Sequence, residues 1–260
     1  METYLRWPIL AVVPSVGIRY RPSSMTIKVA SYNIRKAIGL DRKRKPERTL
    51  EVLRELDADV IALQEADRRF GGRASAIPVH MLFEHSPYKA VPLDMRPGSM
   101  GWHGNAILVK KDVTVEHCEA VHLPTLEPRG AVMAELSVNG QSLRVVGMHL
   151  DLSGLWRRRQ VKALLHHLQA LGRPMPTVMM GDLNEWTNGG CLKDFEGEHR
   201  VLRTGRSFHS RRPVGELDRI ILSTDIEVDD YGVHQSIVAA RASDHLPIWA
   251  AVRLPGQDTA

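Results

Sequence analysis

The sequence predicts an α/β domain with many strands and few helices, mixed rather than strictly alternating, and three observations carry that expectation. The 260 residues are 43% hydrophobic and 25% charged. These values suit a globular domain with a sizeable core and exclude collagen-like, disordered and coiled-coil chains. The chain's folded part opens on a strand–helix–strand pattern, the unit from which parallel sheets are built. Beyond it, short strand-like runs outnumber helical ones, and no repeat, low-complexity tract or linker divides them.

The first 24 residues are expected to be a poorly ordered extension, with one domain from 25 to 260. The apolar stretch Ile9 to Ile18 is broken by Pro14 and Gly17. It falls well short of the roughly 18 residues a membrane helix needs. With Glu2 and a single Arg6 before it, it also lacks the basic start of a signal peptide. Two cysteines, Cys118 and Cys191, make no disulfide framework, so a reducing, cytoplasmic setting is expected.

From Thr26, TIKVASYNI alternates and is rich in β-formers, which predicts a strand. A basic loop, Asp41 to Lys45, leads to Pro46 at a helix start, and Leu50, Leu53 and Leu56 follow at helical spacing up to Asp57. Val60 to Leu63 predicts a short buried strand running into Gln64 and Glu65. Residues 67 to 103 carry so many glycines and prolines that they predict loop. Gly104 to Lys110 predicts a strand. Ala131 to Val138 and Ser142 to Leu150 flank Asn139-Gly140, the signature of a type I′ hairpin. Trp156 to Leu171 predicts an amphipathic helix with Val161, Leu164, Leu165, Leu168 and Leu171 on one face and Gly172 beyond its end. Thr177 to Met180, Arg219 to Leu222 and Ile248 to Leu254 complete the strands.

Polar side chains recur where these apolar runs stop. Asn33, Glu65, His149, the pair Asp182 and Asn184, Asp218, and Asp244-His245 stand at six such places. In open α/β sheets the strand ends and their loops are where ligands bind. Taken singly, each has a plainer reading: Asn33 as a turn residue, Glu65 as a rim charge, Gly181 to Asn184 as a turn, the histidines as satisfied core groups, Asp218 as an arginine partner. Their conjunction and order favour a site.

Those motifs carry a resemblance. Ser31-Tyr32-Asn33-Ile34, Ile61-Ala62-Leu63-Gln64-Glu65, Gly104-Asn105-Ala106-Ile107-Leu108, Met148-His149-Leu150, Gly181-Asp182-Leu183-Asn184, Leu217-Asp218-Arg219-Ile220 and Ser243-Asp244-His245-Leu246-Pro247 stand in the order of the endonuclease/exonuclease/phosphatase superfamily. That family includes pancreatic-type deoxyribonuclease, AP endonuclease, inositol polyphosphate 5-phosphatase and neutral sphingomyelinase. The resemblance spans Thr26 to about Leu254. It implies a four-layer sandwich of two mixed β-sheets flanked by helices. His149 stands where AP endonucleases have tyrosine, so the deoxyribonuclease and sphingomyelinase branches are the closer comparison.

The resemblance implies a divalent-metal-dependent phosphoester hydrolase. A hard cation held by oxygens neutralises charge on the phosphoryl oxygens, and Mg²⁺ needs only one or two carboxylates besides water. Glu65, with Asn33 nearby and Asp244 as a second carboxylate, is the expected metal set for Mg²⁺, or Mn²⁺ in its place. Asp182 and Asn184 are expected to orient the attacking water. His245 with Asp218 resembles an imidazole whose charge a carboxylate fixes, serving either to bind phosphoryl oxygen or to transfer a proton. His149, and after it Asn105, would donate to the phosphate. Arg157 and Gln160 are expected to be structural, and Arg157-Arg158-Arg159 a solvated helix start.

The sequence points to more than one substrate class. Clusters at Arg42 to Lys45, Arg68-Arg69 with Arg73, Arg157 to Arg159 and Arg211-Arg212 suit a nucleic-acid groove. Against that, the net charge is only +5 and aromatics make up 5%, which limits stacking platforms. Nucleic acid and a phospholipid head group both remain open as substrates, with a monomer and no stable membrane insertion expected. A DNA-repair-type nuclease and a non-catalytic phosphate-binding scaffold are the alternatives.

Overall fold

In a run with period-two burial, every second side chain must find a second layer to cover it. The computed structural model, which describes residues 26–68, 74–93 and 98–256, meets that demand by laying two six-stranded sheets against each other. The extension expected at residues 1–24 lies outside the described residues, as do Arg69 and Arg73.

The elements run β1 (Ile27–Asn33), α1 (Pro46–Leu56), β2 (Val60–Gln64), α2 (Val79–His85), β3 (Tyr88–Ala90), β4 (Ala106–Lys110), β5 (Thr114–Val121), β6 (Gly130–Val138), β7 (Gln141–His149), α3 (Gly154–Ala170), β8 (Thr177–Asp182), β9 (His199–Leu202), β10 (Asp218–Ser223), β11 (Glu227–Val233), α4 (Ala239–Ala242) and β12 (Ile248–Arg253). One sheet has the order β11-β12-β1-β2-β4-β3 and the other β5-β6-β7-β8-β10-β9. Each holds a single parallel pair at its centre, β1 with β2 and β7 with β8, and antiparallel neighbours elsewhere. The parallel pairs are joined through α1 and α3, as a crossover requires.

Alternation decides which side chains face the other sheet. Ile27 and Val29, Val60 and Ala62, Ile107 and Val109, Leu143 and Val145, Val178 and Met180, and Ile220 and Leu222 share one apolar layer between the sheets. The opposite set on the first sheet, including Ala30, Tyr32, Ile61 and Leu63, packs beneath α1 and its neighbours. On the second sheet Val146, Met148 and Met179 pack beneath α3, whose Val161 and Leu164 are fully buried. Extending the inward set two residues at a time reaches Asn33, Gln64, His149 and Asp182, and on the antiparallel strands the starting residues Asn105 and Asp218. The layer between the sheets is therefore apolar along its length and polar at one end.

Most of the expected elements are present within a residue or two. Asn139 and Gly140 both take positive φ, 52° and 77°, as the type I′ turn demands. Residues 67–103 depart from the expected loop, for they hold α2 and β3. α2 spans only 7 residues and leaves Val79 and Phe83 exposed, so it has almost no apolar period to detect. β5 and β11 were not evident from the sequence either: both sit on sheet edges and are largely exposed. Among the described residues no helix is long and apolar enough to cross a membrane.

Gly181 in β8 allows the close approach of the central strands. A Cβ built there would stand 1.8 Å from the Met148 carbonyl oxygen. Gly181→Ala is expected to destabilise the fold by about 3 kcal/mol through forced backbone displacement, read as a lower urea midpoint with an unchanged m value.

Candidate active site

The polar end of the inter-sheet layer centres on Asp182, the last residue of β8, which is 2% exposed. Its Oδ2 accepts the side-chain amide of Asn33 from the other sheet at 3.0 Å. The Nε2 atoms of His149 and His245 stand 3.4 and 3.6 Å from the same oxygen. Register places these groups: His149 is opposite Asp182 across the parallel pair, and Asp218 is opposite Asp182 on the antiparallel side. Oδ1 of Asp182 accepts the backbone N–H of Asn184 at 3.0 Å. Asn184 takes φ of 51°, a left-handed conformation that asparagine tolerates. Its side-chain amide donates to the Leu150 carbonyl at 3.0 Å and so ties the ends of β7 and β8 together.

His245 arrives on the loop before β12. Its Nδ1 lies 2.9 Å from Oδ2 of fully buried Asp218, and the Ser207 hydroxyl donates to that same oxygen. Ser243 anchors the loop by donating to the Asn33 carbonyl at 2.7 Å. Phe208 covers the imidazole, ring centroids 4.9 Å apart. Burial alone would strip His245 of its proton, but the Asp218 and Asp182 carboxylates outweigh it and raise its pKa to about 10.

His149 is driven the opposite way. Burial is the main cause, the Arg129 guanidinium adds to it, and Asp182 only partly offsets them, so its pKa falls to about 3. Arg129 meets its Nε2 directly, and a ring accepting a hydrogen bond there is neutral with its proton on Nδ1. Two buried histidines around one carboxylate are thus pushed in opposite directions.

The groups expected to hold a cation lie along the same edge, each with a partner. Glu65 follows β2 in a left-handed conformation, φ 52°, and its carboxylate meets the Lys36 ammonium. Arg35, Lys36 and Ala37 themselves form a left-handed turn, φ 47°, 59° and 58°, which directs Lys36 inward. Asn33 Oδ1 accepts the Arg35 backbone N–H at 3.1 Å, and Asp244 pairs with the Arg35 guanidinium at 3.2 Å. Asn105 is fully buried; its amide donates to the Gly130 carbonyl at 3.1 Å, and among the described residues its Oδ1 has no partner. Glu65 and His149 line one cavity of about 110 Å³ together with Lys36, Arg68, His103 and Arg129.

Among the described residues, the group whose metal-ligating atoms lie within 4.8 Å of one another is Asp182, Asp218 and His245. All three are buried, and their oxygen and nitrogen atoms suit either a cation or a shared proton. Lys36, Arg129 and Ser207 are not among the residues the sequence points to, whereas Ser243 belongs to its Ser243-Asp244-His245 motif. Of the first three, Lys36 alone left a signal in the sequence, as one of two basic residues directly after Ile34. Arg157 is no solvated helix start: its guanidinium is buried, donating to the Leu152 carbonyl at 2.6 Å and pairing with Glu185 at 3.1 Å. Gln160 is likewise buried and accepts the Asp151 N–H.

The Endonuclease/Exonuclease/phosphatase family matches residues 30–245. No curated protein matches the chain. An endonuclease/exonuclease/phosphatase from Beutenbergia cavernae shares 21% identity with a TM-score of 0.69, covering 90% of this chain and 73% of its own. A mannosyl-6-phosphatase from Bacteroides thetaiotaomicron shares 19% (TM-score 0.67, 87% and 99% covered). D. rerio TDP2, in complex with a single-strand DNA product, shares 17% (TM-score 0.66, 88% and 99% covered). Likeness at these identities establishes the fold.

In the metal-free protein, imidazole nitrogen NMR is expected to show His245 protonated and His149 neutral throughout about pH 5 to 8. For His245, whose folded pKa is raised, the stabilising contribution is complete below about pH 6.5 and lost as pH rises toward its folded value. For His149 the contribution is present above about pH 6.5 and lost as pH falls toward its folded value. Ordinary titration of both rings near pH 6.5 would refute the assignment.

Proposed function

The chain belongs to the Endonuclease/Exonuclease/phosphatase family, and from that membership we propose that it is a divalent-metal-dependent phosphoester hydrolase that drives water onto phosphorus. The observation that carries this reading is the convergence of Asn33, His149 and His245 on the buried Asp182 carboxylate, with Asp218 behind His245. Phosphoryl transfer needs an acceptor near the incoming water and donors near the phosphoryl oxygens. Asp182, held in place by Asn33 and the Asn184 N–H, is positioned to accept the proton of water. His245, kept cationic by Asp218, supplies an N–H to a phosphoryl oxygen or to the departing oxygen. Neutral His149 has its proton on Nδ1, and Arg129 beside it brings positive charge to the same cavity.

The residues present fit a hard cation at Glu65. This is a carboxylate on the cavity wall that already draws a cationic partner, Lys36. Asn33 Oδ1 and Asp244 lie along the same edge as further oxygen donors. Bound there, Mg²⁺ or Mn²⁺ would neutralise charge on the phosphoryl oxygens. Every position expected to carry chemistry holds a competent side chain, Asp182, Asp218 and His245 among them, so the non-catalytic reading is the weaker one.

Hydrolysis of bis(p-nitrophenyl) phosphate is expected to require Mg²⁺ or Mn²⁺ and to stop with EDTA. Asp182→Asn and His245→Ala should each lower turnover by about 10³-fold or more, with circular dichroism unchanged. Near wild-type rates in both variants would sink the proposal.

A further inference from the structure

Several large apolar side chains remain uncovered on loops near the site and at the start of α3. Leu126, Leu152, Leu155, Trp186 and Val214 are each more than half exposed. Hydrogen bonds and packing trace them as one arc. The Leu126 N–H donates to Asp151, next to Leu152. Arg157, three residues from the start of α3, bonds the Leu152 carbonyl and Glu185, next to Trp186. Trp186 lies over Gly215, where a Cβ would meet its ring at 3.0 Å, and Gly215 follows Val214. The arc leads inward through Phe208, which packs edge-on against Trp186 with centroids 5.9 Å apart and covers His245. The loop bearing Val214 also carries exposed Arg206, Arg211 and Arg212.

We propose that this arc docks on an anionic phospholipid surface and presents the site to phosphoesters at the head-group level. Aliphatic side chains around an interfacial tryptophan, bordered by arginines, match the layers of such a surface: acyl chains for the leucines, the head-group boundary for Trp186, lipid phosphates for the arginines. Four of the five arc residues are aliphatic and offer no face for base stacking, which disfavours nucleic acid as the occupant. A second copy of the chain would set the arginines of one copy near those of the other across a two-fold axis. Docking stands apart from catalysis. Naming a lipid phosphoester as substrate rests on the hydrolase reading above.

The test is co-sedimentation of the full chain with vesicles of phosphatidylcholine alone and of phosphatidylcholine mixed with phosphatidylglycerol. Bis(p-nitrophenyl) phosphate hydrolysis is measured separately, so that failure of docking and failure of the hydrolase reading are told apart. The wild type should pellet with the anionic vesicles, with a blue shift in tryptophan emission. Leu152→Glu with Leu155→Glu, both at exposed positions, should lower partitioning at least ~10-fold while leaving soluble diester hydrolysis unchanged. Val214→Glu should weaken partitioning in the same direction. The proposal is overturned if the wild type stays in the supernatant with anionic vesicles at low ionic strength, or if the variants partition like the wild type. It is overturned equally if the double variant abolishes binding to a single-stranded oligonucleotide, which would assign the arc to nucleic acid.

Discussion

A carboxylate removed from water demands polar partners, and at Asp182 those partners come from three separate parts of the chain. Asn33 reaches it from the facing sheet, His149 from the parallel neighbour, and His245 from the loop before β12. Leaving such a charge unpaired costs several kcal/mol. The two sheets must therefore meet in one relative position for the polar end of the layer to be tolerated. The same contacts that gather the polar groups of the site also favour one way of closing the sandwich.

Why the polar groups gather at one end follows from strand direction. The two parallel pairs, β1–β2 and β7–β8, finish at the same edge, so their carboxyl ends deliver Asn33, Glu65, His149 and Asp182 to neighbouring positions. The antiparallel strands β4 and β10 begin there and supply Asn105 and Asp218. Small residues let the layers approach: a Cβ at Gly147 would lie 3.1 Å from that of Ala62 across the interface. Thus the period-two pattern that buries Val178 and Met180 also aims Asp182 into the space between the sheets.

Local pattern and long-range folding leave different marks on the sequence. Strands such as Val60 to Gln64 and the Asn139-Gly140 hairpin rest on local pattern and turn chemistry, and both stand close to where the sequence puts them. His149, Asp182, Asp218 and His245 were visible because polar side chains interrupt apolar runs, and the structure brings all four together. Ser207 and Arg129 were not, because their roles come from where a loop folds back, and nothing in their own neighbourhoods marks it. Lys36 depends on three successive left-handed residues that no propensity would suggest. Exposed edge strands like β11 lack the alternation that signals buried ones.

The site that results is asymmetric, and the asymmetry originates in its walls. On the His149 side the cavity is lined by Lys36, Arg68 and Arg129 against Glu65, a wet and charged surface. On the His245 side the wall is Phe208 backed by Trp186, which offers nothing to a phosphate oxygen and shields the Asp218–His245 pair from water. Low polarity there strengthens the attraction between imidazolium and carboxylates, while Arg129 on the other side opposes any proton on His149. One carboxylate can therefore sit between two identical side chains and still face a donor cation on one flank and a neutral ring on the other. The difference is set by their second neighbours rather than by Asp182 itself.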